Sequence, residues 1–162
     1  MRIALVGFGN VGRALARMLL GTRAPFTVTA IGTRSHGAVV APGGIDVATI
    51  LAGTDLPRRS LPAMRDLPAD ILVEITTLEP RTGEPALTHI REALGAGMHV
   101  VTANKGPIAR AYRELDALAA AKGRLLRFEA TLADCLPVFN LRRASLPLEK
   151  VLPLTVMSSM RW

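Results

Sequence analysis

Apolar and polar positions alternate along this chain in two rhythms. Ile3 to Val6 form a continuous apolar run, the pattern of a parallel strand buried on both faces. Val11, Leu15, Met18 and Leu19 then recur at helical spacing, until Gly21 and Pro25 break the pattern. Residues 26–31 (FTVTAI) predict a second strand, rich in β-branched side chains. Residues 38–69 are the least regular part. They predict a short helix over 45–51 and a polar connection punctuated by Pro57, Pro62 and Pro68. Residues 70–76 predict a third strand, whose apolar run is interrupted by Glu74. An amphipathic helix follows over 84–94, with Leu87, Ile90 and Leu94 on one face and Gly95 and Gly97 as stops. His89 reads as an exposed residue of that helix. Residues 98–102 predict strand four. The next helix runs from Pro107 to about Lys122, with Ala111, Leu115, Leu118 and Ala119 inward and Gly123 as its cap. Residues 124–130 predict strand five. Five strands alternating with helices predict a single-domain α/β fold, a doubly wound parallel sheet of Rossmann-like type.

The junction of the first strand and helix carries the first chemical signal. Gly7, Gly9 and Gly12 spell G-x-G-x-x-G between the two. In that context the first glycine makes the tight turn, the second admits a pyrophosphate, and the third lets the helix pack closely. The amides of Phe8, Gly9, Asn10 and Val11 would then face the diphosphate of a dinucleotide. The end of strand two separates the two nicotinamide cofactors. An NAD site usually places an acidic residue about 20 positions after the glycines. No Asp or Glu occurs before Asp46; Arg34 stands 22 residues after Gly12, with Ser35 beside it. A guanidinium binds a 2′-phosphate that a carboxylate would repel, so NADP(H) is expected over NAD(H). Arg58 and Arg59 read as solvated loop charges within reach of the adenosine phosphate. The loops after strands three and four lie at the edge where open parallel sheets bind ligands. They carry Thr76, Thr77, Asn104 and Lys105. A lysine placed there can donate a hydrogen bond to a carbonyl oxygen gaining negative charge.

Composition changes this picture little. Of 162 residues, 49% are hydrophobic and 20% charged, as in a globular domain. The net charge of +7 comes from 17 arginines and 3 lysines against 13 acidic residues. The arginines are dispersed and aromatics make up only 4%, so no nucleic-acid platform is expected. No apolar run approaches the ~20 residues that span a bilayer, so no membrane role is expected. One cysteine, Cys135, excludes an internal disulfide framework. A first strand starting at residue 2 leaves no room for a leader, and a cytoplasmic location is expected.

Three stretches resemble homoserine dehydrogenase: residues 73–86 (VEITTLEPRTGEPA), residues 97–109 (GMHVVTANKGPIA) and residues 128–137 (FEATLADCLP). The Thr102-Ala-Asn-Lys-Gly-Pro107 element is much more specific than the glycine motif. The resemblance covers about residues 2–147, the expected dinucleotide-binding domain. It implies reduction of aspartate 4-semialdehyde to homoserine with a nicotinamide cofactor, on the branch to threonine and methionine. It also implies that Gly7, Gly9, Asn10, Val11 and Gly12 hold the pyrophosphate, that Thr76 and Thr77 lie at the nicotinamide end, and that Lys105 assists proton transfer. A monovalent cation is implied at Glu129, with carbonyls of Leu132, Asp134 and Leu136.

The chain departs from the family in two places. Ala133-Asp134-Cys135 stands where the family usually has a glycine-rich turn. After Pro147 only residues 148–162 follow where the family continues into a substrate and dimerisation domain, and residues 158–162 (SSMRW) do not match that continuation. Residues 148–162 read as a short tail with an extra strand over 149–157. The isolated chain is therefore expected to bind dinucleotide with weak or absent turnover. The alternative is a non-catalytic dinucleotide-binding module or a truncated remnant. A small amino-acid substrate is expected if the chain is catalytic, and a homo-oligomer is compatible with the sequence.

Overall fold

The computed structural model describes residues 1–22, 25–53, 55–132 and 139–140. Among them a six-stranded sheet runs in the order β3-β2-β1-β4-β5-β6. Its strands are β1 (Arg2–Val6), β2 (Thr27–Gly32), β3 (Ala38–Val40), β4 (Ile71–Glu74), β5 (His99–Thr102) and β6 (Leu126–Arg127). All neighbours pair in parallel except β2 with β3, which form an antiparallel edge. The helices are α1 (Asn10–Gly21), α2 (Val47–Leu51), α3 (Ala86–Gly95) and α4 (Lys105–Ala121). The expected doubly wound fold is present. Strand order reverses between β1 and β4, which opens a crevice at their carboxyl ends.

The continuous apolar runs follow from burial on both sheet faces. Ala4, Val6 and Leu72 point into a core shared with Ile90, Leu94 and Leu115 of α3 and α4. Ile3, Leu5 and Val73 point into the opposite core, closed by α1 and α2. Successive residues of one strand thus serve different layers, and a polar side chain on either face needs a buried partner.

Several expectations require correction. β3 was not expected. It is three residues long, closed by Gly37 before it and Pro42 after it, too short to show a period. The last strand does not run through residues 124–130. Arg124 N still bonds Ala119 O to end α4, and residues Glu129–Thr131 form a 3-10 turn, leaving two paired residues. Phe128 makes that turn inward, edge-on to Tyr112 and Phe139 at 5.3 and 4.7 Å. In α1 the buried face is Gly12 and Ala16, while Val11 and Met18 are 61% and 67% exposed. Leu15 and Leu19 are partly buried against the core beside them. His89 is not exposed: its side chain is 19% accessible and faces Glu74. The tail over 149–157 lies outside the described residues.

Candidate functional site

The crevice is built from four loops. The first leaves β1 through Gly7, whose φ of +102° suits only glycine and whose amide bonds Gly32 O at 2.8 Å. A Cβ on Gly7 would lie 2.3 Å from the Ile75 carbonyl oxygen. One on Gly12 would lie 2.5 Å from Gly7 O. Both glycines are therefore demanded by the packing of loop, helix and sheet. Gly9 is different. Its φ of −79° is open to any residue, and a Cβ there would meet nothing within 4 Å. The fold itself does not require glycine at that position.

Gly9 is also the N-cap of α1, and no side chain caps this end. No acidic residue lies in the first turn either. By contrast, Asp46 caps α2 by accepting from Ala48 N and Thr49 N at 3.1 and 3.3 Å, and Asn104 caps α4 through Gly106 N at 3.2 Å. The amides at the start of α1 thus face open space at the positive end of a helix, where an anion is stabilised. Phe8 is buried at 6% exposure, and the Arg13 guanidinium lies 5.3 Å above its ring. The expected phosphate-binding residues Gly7, Phe8, Gly9, Asn10, Val11 and Gly12 therefore come together as one turn.

The second loop joins β2 to β3. Thr33 folds it, its hydroxyl donating to Gly37 O at 3.0 Å and accepting from His36 N at 2.8 Å. Gly37 (φ +89°) packs so closely on the 57–58 segment that a Cβ would lie 2.1 Å from Pro57 O. This contact makes one wall of a cavity of about 380 Å³, lined in part by Arg34, Ser35, Arg58, Arg59 and Ser60. Among the described residues no carboxylate pairs with Arg34, Arg58 or Arg59. Arg34 and Ser35 occupy the place expected for adenosine-ribose contacts. Arg58 and Arg59, expected as solvated loop charges, share that cavity. Sequence spacing could not bring them there, because a long connection separates them from Arg34.

The third and fourth loops follow β4 and β5. Thr77 is exposed and Thr76 partly buried. Asn104 is 4% exposed, with Nδ2 donating to Thr76 O at 3.3 Å and Oδ1 accepting from Gly106 N at 3.2 Å. Its side chain holds the two loops together and is not presented to the crevice. Lys105 begins α4 and is exposed. The loop over 79–83 packs against this helix start, so a Cβ on Gly106 would lie 2.8 Å from Glu79 O. Glu79 folds that loop by accepting the hydroxyl and amide hydrogens of Thr82 and the amide of Arg81. These hydrogen bonds, Thr82's hydroxyl foremost, hold its carboxyl down at about 2.

Of the residues expected at a cation, Glu129 and Leu132 are described, whereas Asp134 and Leu136 lie outside the described residues, as does Cys135. Glu129 Oε1 accepts amide hydrogens from Phe139 and Asn140 at 2.8 and 3.3 Å. Among the described residues no group of three or more His, Cys, Asp or Glu side chains could hold a metal ion. None of the helices among them is long and apolar enough to cross a membrane.

Comparison with known proteins agrees with this geometry. Residues 7–129 match the family model for the NAD-binding domain of homoserine dehydrogenase. A homoserine dehydrogenase of Methanocaldococcus jannaschii is 33% identical over 171 aligned residues, covering 94% of this chain and 51% of that protein. An NAD(+)-dependent homoserine dehydrogenase of Pseudomonas canavaninivorans is 36% identical over 165 residues, covering 90% of this chain and 47% of that protein. Among solved structures, homoserine dehydrogenase from Thermoplasma acidophilum superposes with a TM-score of 0.75 at 27% identity, over 90% of this chain and 48% of that one. A hyperthermophilic archaeal homoserine dehydrogenase in complex with NADPH gives 0.71 at 26% identity, over 86% of this chain and 47% of that one. The chain spans about half the length of the curated relatives it matches.

Proposed function

The chain belongs to the homoserine dehydrogenase family, as its NAD-binding domain, and from that premise we propose that it binds NADP(H) across the β1–β4 crevice and serves the interconversion of aspartate 4-semialdehyde and homoserine. One observation carries the binding claim: Gly9 has an unrestricted backbone and open space where its Cβ would be. Among the described residues no packing contact demands a glycine there. A diphosphate lying on the backbone would, and the uncapped amides of α1 supply its donors.

The preference for NADP(H) rests on the cavity beside β2. Arg34 and Ser35 approach from the β2–β3 turn and Arg58 and Arg59 from the facing segment. Three guanidinium groups without a carboxylate partner among the described residues, around one cavity, suit a phosphate monoester, and no carboxylate lines it to hold the hydroxyls of an unphosphorylated ribose. At the other end, Thr76 and Thr77 stand on the loop after β4 and Lys105 at the start of α4. The bound nicotinamide supplies or accepts hydride. Lys105 donates a hydrogen bond to the carbonyl oxygen, so that negative charge developing there is met by a fixed cation. For a monovalent cation, the Glu129 carboxylate and the Leu132 carbonyl are the described residues that would hold it; no step of the reaction is routed through it. A thermal melt in potassium chloride against tetramethylammonium chloride tests that addition, with a higher melting temperature expected in potassium.

Replacement of Arg34 by Asp tests the cofactor assignment. Titration calorimetry should show the dissociation constant for NADPH rising at least about tenfold, the size of one lost charge-assisted contact. Binding of NADH should change little. Equal NADPH affinity in the Arg34→Asp protein would remove the assignment.

A further inference from the structure

Glu74 ends β4 with its side chain fully buried, at 0% exposure, directly beneath the crevice. A carboxylate so placed is costly unless its oxygens are met by donors. Oε1 accepts the Thr76 amide at 3.2 Å and also the Thr76 hydroxyl. Oε2 accepts the hydroxyl of Thr102, itself 1% exposed, at 3.4 Å. The Thr102 hydroxyl in turn accepts from Asn104 N at 3.0 Å. Asn104 then donates from Nδ2 to Thr76 O at 3.3 Å, which returns to the starting loop. The bonds form a closed ring, Glu74–Thr102–Asn104–Thr76, that ties the loop carrying Thr77 to the loop carrying Lys105.

His89 faces the ring from α3. Its Nδ1 lies 3.6 Å from Glu74 Oε1 and is buried without a hydrogen-bond partner. The adenosine cavity, at the β2–β3 turn and the 57–61 segment, shares no hydrogen bond with this ring.

We infer that Glu74 is a positioning residue for the nicotinamide end of the site. It touches neither cofactor nor substrate; through Thr76 and Thr102 it sets the spacing between the Thr76–Thr77 loop and Lys105. This inference rests on the dinucleotide reading above. It separates two ends of one ligand: loss of the ring weakens contacts at the nicotinamide and leaves those at the adenosine untouched.

The test uses the full chain, with Glu74→Gln, which keeps shape but replaces one acceptor by a donor, and Thr102→Val, which removes the bridging hydroxyl. Each is titrated with NADPH and with adenosine 2′,5′-bisphosphate, and its melting temperature is recorded. Both variants should bind NADPH about tenfold more weakly, within the range by which residues that touch no ligand shift affinity, and bind the bisphosphate within about twofold of the parent. Unchanged NADPH affinity, or equal weakening of both ligands, overturns the inference, because a brace needed only for folding would move both together. If Glu74→Gln does not fold, Thr102→Val decides by the same criterion. If the parent chain binds neither ligand, the dinucleotide reading fails and the inference falls with it; binding of the bisphosphate by the parent keeps the two failures distinct.

Discussion

Replacing Gly9 by Ala separates what the fold needs from what a ligand needs. At Gly9 the added methyl meets no protein atom within 4 Å, and the backbone φ of −79° accepts it. Two small stability effects oppose each other. Alanine is a poorer N-cap than glycine by roughly 0.5–1 kcal/mol. It also lowers the entropy of the unfolded chain, worth about 0.4–1 kcal/mol in the other direction. The net change should stay within about 1 kcal/mol, or about 2–4 °C in melting temperature for a chain of this size. Gly7→Ala is the contrast: its Cβ would lie 2.3 Å from a backbone oxygen at a φ of +102°. Backbone strain of that kind costs about 1–3 kcal/mol before the clash is counted. Binding should behave in the opposite way to stability. A methyl group on Gly9 fills the space proposed for the diphosphate, and a dissociation constant raised at least about tenfold is expected. Differential scanning fluorimetry reads both quantities. At a ligand concentration about a hundredfold above the parent's dissociation constant, NADPH should stabilise the parent by about 2.7 kcal/mol. A tenfold weaker Gly9→Ala protein gains only about 1.4 kcal/mol at the same concentration. Ligand stabilisation of Gly9→Ala equal to the parent's would refute the placement of the diphosphate. A loss of several kcal/mol without ligand would refute the claim that the fold does not need this glycine.

Two further outcomes test the frame that holds the site. Asp70 accepts from Arg2 N and from its guanidinium at 2.8 and 2.7 Å, which pins the starts of β1 and β4 together. The Arg2 side-chain hydrogen bond, then the Arg2 amide, hold the Asp70 carboxyl down at about 2. A folded value below the unfolded one contributes stability above about pH 4, and that stability is lost as pH falls toward 2. Asp70→Asn should therefore be less stable than the parent at pH 7. The deficit should be at most about 1 kcal/mol because both side chains are substantially exposed. It should shrink as pH falls toward 2, where the folded carboxyl is about half protonated; urea melts at both pH values check this, and a constant difference contradicts it. Gly106→Ala places a Cβ 2.8 Å from Glu79 O and 3.1 Å from Gly83 Cα, atoms that cannot yield without moving the loop. It should destabilise by about 1–3 kcal/mol in urea unfolding, and a change below about 0.5 kcal/mol would show that the loop is loosely held.

The strands and helices nearest the crevice were legible because their periods are strong. Ile3–Val6 and Leu87–Leu94 read correctly from apolar spacing alone. The glycine motif was legible as a turn, but which of its glycines serves the fold and which faces outward was not. That distinction depends on Ile75 and Gly7 carbonyls approaching in three dimensions. β3 escaped because three residues cannot display a period. The last strand is shorter than residues 124–130 suggest, because alternation from Leu126 to Ala130 reads as a strand while Phe128 is drawn into an aromatic cluster. Arg34 is picked out in the sequence by its distance from Gly12. Arg58 and Arg59 reach the same cavity only through the close contact of Gly37 with Pro57. His89 was misplaced on the exposed face because its partner, Glu74, lies on another element. The signal was present all the same: one carboxylate within a buried apolar strand needs partners, and a helix crossing that strand's end can provide one.

Dinucleotide binding over the α1 amides is tested most directly by titrating NADPH into the isotopically labelled chain and following backbone amide resonances. Saturable shifts centred on Phe8 to Val11 and around Arg34, at one-to-one stoichiometry and tighter than with NADH, are the predicted result. Absence of saturable shifts at Phe8 to Val11 with either coenzyme would contradict the account.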